Sequence, residues 1–143
     1  MAGTEDWSTF NEGDQPTTFA GGTVSSGYGS GIRVIGSSWF DPTWPDGTKV
    51  FNPIKFIPAT LTFASGPVGS LTLEIGHDVP TGSTITAFDA ADAVVDSEVV
   101  STGFAVSATV SSSSNNIKYV TIMNGSPSGS GAAFTNLSWT CNP

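Results

Sequence analysis

Short runs of alternating polar and apolar residues recur along the chain, whereas the spacing typical of amphipathic helices is nearly absent. The alternation is clearest at 60–63, 70–75 and 83–88. It predicts strands that bury one face and leave the other in water, as antiparallel sheets do. The whole pattern predicts about nine short strands. They are expected at 19–24, 31–35, 60–63, 70–75, 83–88, 94–100, 105–110, 118–122 and 134–140.

Clusters of Gly, Pro, Ser and Asn separate these runs, at 65–67, 80–82, 111–116 and 124–131. Many short strands with such turn signals between them are typical of a β-sandwich or a barrel. A chain of 143 residues is most simply one domain with a sizeable core. We therefore predict an all-β fold, an antiparallel β-sandwich, as a single domain over residues 1–143.

The segment 36–58 departs from the strand pattern. It contains WFDPTWPDG at 39–47, where two prolines and an Asp-Gly pair exclude a helix and argue against an inner strand. Loops run over the surface, so these rings either fold back as a lid over a sheet or face a ligand, and both alternatives stay open. The candidate ligand-binding residues are Trp39, Phe40, Asp41, Trp44 and Asp46, with Tyr28 from a glycine-rich turn that could equally pack against the core.

The charge balance narrows the class of partner. Only four residues are positively charged, twelve are acidic, and the formal net charge is −8. Binding to nucleic acid or to an anionic membrane requires several clustered cations, so we expect neither. No apolar run approaches the roughly 18 residues of a membrane span. A neutral glycan or a divalent cation fits this composition better.

Residues for catalysis are sparse. The single histidine, His77, is expected in an exposed turn, and the single cysteine, Cys141, stands two residues from the end of the sequence. Two carboxylates could in principle support glycoside hydrolysis, but chance proximity is common among twelve. We therefore predict no enzymatic activity. The candidate carboxylates are Asp41, Asp46, Glu74, Asp78 and Asp89.

Four segments carry a resemblance to a known class of domains: ITAFDAADAVV at 85–95, PVGSLTL at 67–73, IKYVTI at 117–122 and FTNLSW at 134–139. The first is similar to a hairpin in which an aromatic residue and an aspartate close one strand before the turn. Together they resemble the galactose-binding-like jelly-roll domains of bacterial extracellular proteins, the architecture of many carbohydrate-binding modules. The resemblance covers about residues 15–140 and implies a jelly-roll-like sandwich.

The resemblance also implies a structural calcium ion near the N-terminal turn. Oxygen ligands of the kind that Ca²⁺ takes are present there, and the candidate metal ligands are Glu12, Asp14 and Asn136. A solvated acidic turn is the alternative. Thr135 stands where the family pattern has an aspartate, which is a departure at the proposed C-terminal ligand.

These observations predict a non-catalytic carbohydrate-binding module that recognises a neutral polysaccharide or glycan by aromatic stacking. The alternative is a structural or adhesive module of an extracellular or virion surface that binds no sugar. In either case we expect an extracellular location, a monomer, and a module that belongs to a larger protein.

Overall fold

The computed structural model describes residues 2–27, 30–37, 43–53, 57–76, 82–100, 105–124 and 133–141. Within these residues there is no helix, and hence none able to cross a membrane. They contain twelve strands. In chain order these are β1 Gly3–Glu5, β2 Thr18–Phe19, β3 Gly22–Ser25, β4 Gly31–Val34, β5 Lys49–Asn52, β6 Ala59–Phe63, β7 Ser70–Gly76, β8 Ser83–Phe88, β9 Val94–Val100, β10 Val106–Ser111, β11 Tyr119–Asn124 and β12 Ala133–Thr140.

The strands form two antiparallel sheets of six strands each. Sheet A has the order β10-β7-β12-β5-β4, with β1 also paired to β12, and sheet B has the order β2-β3-β6-β11-β8-β9. The last eight strands thus give β5-β12-β7-β10 in one sheet and β6-β11-β8-β9 in the other, which is the strand order of a jelly roll. The predicted fold class is confirmed.

The strand count differs from the prediction of about nine. The segment 19–24, predicted as one strand, is a tight hairpin of β2 and β3 in which Thr18 pairs with Thr23. The N-terminal β1 was missed because three residues are too few to show alternation. It pairs Gly3 with Trp139, and a side chain at Gly3 would collide with the indole of Trp139.

The core lies between the two sheets. Alternate residues of the long strands, such as Leu61, Ile75 and Val120, are fully buried and face the opposite sheet. Trp7 and Trp139 belong to this core with exposures of 0% and 4%. Burying one face of β6, β7 and β8 explains why the period-two pattern is regular in these strands.

Gly22 is required by the close approach of β3 to β6. A Cβ there would overlap the carbonyl oxygen of Thr62 and lie 2.8 Å from the backbone nitrogen of Ala64. We therefore expect Gly22→Ala to lower the free energy of unfolding by about 1–3 kcal/mol, as overpacking does, measured by urea denaturation. The comparison variant is Gly66→Ala, at φ 124° with no atom within 4 Å. An equal loss there would show that backbone conformation, and not the close approach, sets the cost.

Candidate functional site

The outer face of sheet A is partly covered by the turn that begins at Trp44. On β5, Phe51 packs inside the sandwich, whereas Val50 joins a separate cluster with Ile35, Trp44 and Ala133. Because neighbouring strand residues point to opposite faces, this second cluster lies outside the sheet. Trp44 is only 5% exposed, so little of its ring is available to stack on a ligand as predicted. Its position is that of a lid over the sheet.

The Trp44 indole is buried at a cost. Among the residues that the structure describes, its Nε1 has no hydrogen-bond partner, and the same is true of Asn52 Oδ1. An unsatisfied buried polar group costs about 1–3 kcal/mol. Packing against Val50, Ala133 and Ile35 therefore has to offset that cost for the lid to stay closed.

The turn after Trp44 is held by backbone hydrogen bonds. Gly47 N donates to Ile35 O at 2.9 Å, and Thr48 N donates to Pro45 O at 3.1 Å. Asp46 is exposed, but its carboxylate lies against the α-carbon of Gly36, where a side chain would come within 2.7 Å of Oδ1. Asp46 thus borders the turn, which the sequence allowed as the alternative to ligand binding. The other predicted ligand-binding residues, Tyr28, Trp39, Phe40 and Asp41, lie outside the described residues.

A cleft of about 570 Å³ opens between this turn and the N-terminal loop. It combines two carboxylates, an amide, several hydroxyls, one ammonium group and an apolar edge. The lining residues are Asp6, Ser8, Thr43, Trp44, Pro45, Gly47, Thr48, Lys49, Glu74, Ala105 and Asn136. We refer to it as the sheet A cleft.

A β-bulge in β12 brings Asn136 into the cleft. The pairing of β12 with β7 shifts register between Thr135 and Ser138, and Asn136 has φ 51°. Asparagine tolerates this left-handed conformation better than most residues, and bulges often redirect a side chain beside a functional site. The Asn136 Nδ2 group donates to Glu74 Oε2 on the neighbouring strand. The bulge therefore couples an amide and a carboxylate on one surface.

Asp6 and Ser8 reach the cleft because Trp7 between them is buried. Trp7 has φ 62° and no exposed surface, and its Nε1 donates to Phe134 O at 3.2 Å. The hydroxyl and the backbone N–H of Ser8 donate to the Asp6 carboxylate and hold the pKa of Asp6 below its ordinary value. Asp6 is therefore ionised at neutral pH.

Lys49 contributes its charge from the floor of the cleft. Its Nζ donates to Ser8 O at 3.1 Å and to Phe10 O. These two carbonyls tie the N-terminal loop to β5 and leave the lysine partly buried. Lys49 is thus chiefly a structural cation that also offsets part of the negative charge of Asp6.

The three predicted calcium ligands are not brought to one place. Asp14 accepts a hydrogen bond from Asn11 N at 2.7 Å, and its backbone pairs with Ile32 at the edge of β4. Strands β4 and β5 separate that turn, which also contains Glu12, from Asn136 on β12. Among the described residues no three or more His, Cys, Asp or Glu side chains are grouped to hold a metal ion. Calcium stays a prediction.

Three of the candidate carboxylates for hydrolysis lie in the described part of the chain. Asp89 Oδ1 accepts from Ala91 N and Ala93 N and closes the β8–β9 turn. Glu74 lines the sheet A cleft and Asp46 lies on Gly36. Asp41, Asp78 and His77 lie outside the described residues.

Sequence reasoning missed Asp6, Ser8, Thr48 and Lys49 as cleft residues. The Asp-x-Ser spacing at 6–8 is typical of a turn closed by an aspartate side chain, so the local turn could have been predicted. Its position beside Glu74 could not, because it depends on the pairing of β1, β12 and β7.

A scan against protein-family models and a search of the curated proteins found no match. Among solved structures, the K2 cleaved adhesin domain of Lys-gingipain (Kgp) aligns over 98% of this chain and 99% of that chain, with a TM-score of 0.65 and 15% sequence identity. The two domains share a fold. The enzymatically active domain of bacteriophage CBA120 tailspike protein 4 (TSP4dN, orf213) aligns over 82% of this chain but 18% of that chain, with a TM-score of 0.45 and 12% identity. That alignment is too loose to bear on this fold.

Removing the Trp44 side chain should destabilise the fold. We expect Trp44→Ala to cost about 3–5 kcal/mol of unfolding free energy, as large-to-small core substitutions do, measured by urea denaturation. Ile57→Ala, at a side chain 53% exposed, is the control and should change stability little. A Trp44→Ala protein as stable as the control would contradict the lid position.

Tryptophan fluorescence tests the burial of the indoles. Trp7, Trp44 and Trp139 are 0%, 5% and 4% exposed, so iodide should not quench them. Any quenched fraction in the wild type is expected to come from Trp39 and to vanish in Trp39→Phe. Quenching that persists in this variant would show that one of the other three tryptophans is exposed.

Proposed function

We propose that this domain is a non-catalytic, extracellular adhesive module that binds a neutral glycan in the sheet A cleft. The cleft carries the proposal, because carboxylate and amide groups of Glu74 and Asn136 stand in it beside the apolar edge of Trp44 and Pro45. The fold shared with an adhesin domain of Lys-gingipain supports the adhesive role and the extracellular location.

The chemistry of the cleft suits a sugar. Hydroxyl groups of a sugar both donate and accept, so they can bind the carboxylates of Asp6 and Glu74, the Asn136 amide and the hydroxyl of Thr48. The C–H faces of the ring can pack on Pro45 and the edge of Trp44. A volume of about 570 Å³ lies in the usual range for ligand sites.

The charge of the cleft favours a neutral glycan over an acidic one. Asp6 and Glu74 are acidic, whereas Lys49 is engaged by two backbone carbonyls. The chain as a whole has a formal net charge of −8. A uronic acid or a sulfated sugar would therefore meet repulsion both at long range and in the cleft.

The direction of the Asp6 pKa suits this carboxylate to accepting hydrogen bonds. A glycosidase needs one carboxyl group whose pKa is raised, so that it can donate a proton near neutral pH. Hydrogen bonds from Ser8 shift the pKa of Asp6 in the opposite direction. Asp6 is thus suited to accept hydrogen bonds from sugar hydroxyls and poorly suited to protonate a leaving group.

The remaining residues predicted from the sequence are part of this proposal. Trp39, Phe40 and Asp41 precede the cleft residues Thr43 and Trp44 in the same segment, and they are proposed to contact the glycan by stacking and hydrogen bonding. Tyr28 and the exposed Asp46 are proposed as further polar contacts. A structural calcium ion at the N-terminal turn, with Glu12 and Asp14, is a separate proposal that glycan binding in the cleft does not require.

The test is glycan binding by a Glu74 variant. Affinity electrophoresis against soluble neutral polysaccharides identifies a ligand, and calorimetry then gives its Kd. Hydrogen bonds to a charged group contribute about 1.5–3 kcal/mol, so Glu74→Ala should weaken binding about tenfold or more.

Glu98→Ala, which removes an exposed carboxylate on β9, is the matched control and should bind as the wild type does. Equal Kd values for both variants and the wild type would refute the cleft assignment. If no neutral polysaccharide binds, the structural or adhesive module without sugar binding becomes the better proposal.

A further inference from the structure

A row of hydroxyl side chains crosses the outer face of sheet B. The register places Ser25 opposite Thr60, Thr60 opposite Thr121, Thr121 opposite Thr86, and Thr86 opposite Ser97. One such residue therefore stands on each of five successive strands, about 4.8 Å apart. Their chain neighbours on β6, β11 and β8 are buried in the core, so these hydroxyls face away from the sandwich.

A second row runs beside the first and contains an aromatic pair. Its members are Thr23, Thr62, Tyr119, Phe88 and Val94, each directly opposite the next. The rings of Phe88 and Tyr119 are stacked with centroids 4.8 Å apart and an interplanar angle of 12°. Both residues are half-buried, and with the exposed Val94 they form a broad apolar step beside the row of hydroxyls. Met123 and Val99, each opposite Thr84, are exposed apolar side chains on the same face.

The ten side chains of these rows carry no formal charge, although the chain has twelve acidic residues. The carboxylate of Asp92 borders them, and its Oδ1 accepts a hydrogen bond from the Tyr119 hydroxyl at 2.9 Å. Each threonine offers a hydroxyl and a methyl group, which match the hydroxyl rim and the C–H face of a sugar. Such a surface complements an uncharged, polyhydroxylated partner.

The twist of the sheet favours a flexible partner over a flat one. Neighbouring strands are rotated by roughly 20–25° on average, so rows that cross five strands follow a curved path. A flat crystalline surface would touch only a few strands. A single flexible polysaccharide chain can follow the whole row.

We infer that the outer face of sheet B is a second binding face, for a single uncharged polysaccharide chain laid across β3, β6, β11, β8 and β9. This inference takes its ligand class, a neutral glycan, from the proposed function, but it concerns a different site. The two sheets pack face to face, so this face and the sheet A cleft point in opposite directions. A domain with both sites joins two polysaccharide chains.

The experiment compares two pairs of Thr→Val substitutions, because valine keeps the branched shape that suits a strand and removes only the hydroxyl. Thr86→Val with Thr121→Val alters the sheet B row. Thr72→Val with Thr109→Val is the matched control on the outer face of sheet A, where these two hydroxyls bond to each other at 2.8 Å. The probes are hydroxyethyl cellulose and a soluble galactomannan, and melting temperatures confirm that each variant folds.

The first readout is the joining of polysaccharide chains by the protein. Light scattering measures it while protein is titrated into the probe that the wild type binds. We expect the wild type and the Thr72/Thr109 control to cross-link, whereas the Thr86/Thr121 variant binds without cross-linking. The second readout is the Kd in a Glu74→Ala background, where the Thr86/Thr121 change should weaken the remaining binding about tenfold. The inference would be overturned if the Thr86/Thr121 change altered neither the cross-linking nor the Kd.

The outcomes separate the two proposals. Binding that depends on Glu74 but not on Thr86 and Thr121 would refute the second face and leave the cleft. Binding that depends on Thr86 and Thr121 but not on Glu74 would refute the cleft and support the second face. A wild-type protein that binds neither probe would overturn both proposals.

Discussion

Trp7 holds the N-terminal segment against the sandwich, and the geometry of the cleft depends on this contact. Its indole lies 5.3 Å from the ring of Phe51 and 6.0 Å from that of Phe134, measured between centroids. Its Nε1 donates a hydrogen bond to the carbonyl oxygen of Phe134, and its backbone N–H donates to Glu5 Oε2 at 3.0 Å. A tryptophan with φ near 60° is rare and unfavourable by itself, so this dense packing must offset the strain.

The strained turn at Trp7 determines which side chains face the cleft. With Trp7 directed inward, Asp6 and Ser8 on either side of it face the cleft, where they meet Glu74 and Asn136. The opposite wall comes from the turn after Trp44, which is secured by packing on Val50 and Ala133. Two buried tryptophans thus position polar groups that come from distant parts of the chain. In this domain the aromatic residues shape the cleft more than they line it.

The elements that could be predicted from the sequence are those with a local signal. Strands β7 and β8 matched the alternation at 70–75 and 83–88 almost residue for residue, because each buries one face. The single strand predicted at 19–24 was wrong, because two and four residues are too short to reveal a reversal at Ala20 and Gly21. The lid position of Trp44 was one of two open alternatives. The contact between Asn136 and Glu74 was beyond prediction, since it depends on a bulge and on the register of two remote strands.

The most direct test of the central claim is an NMR titration of the wild-type domain with a neutral oligosaccharide cut from whichever polysaccharide it binds. Backbone amide shifts locate the ligand without any substitution that could disturb the fold. The account predicts that the amides of Asp6, Ser8, Glu74 and Asn136 shift together and saturate with one Kd. Saturable binding that leaves all four amides unshifted would contradict it.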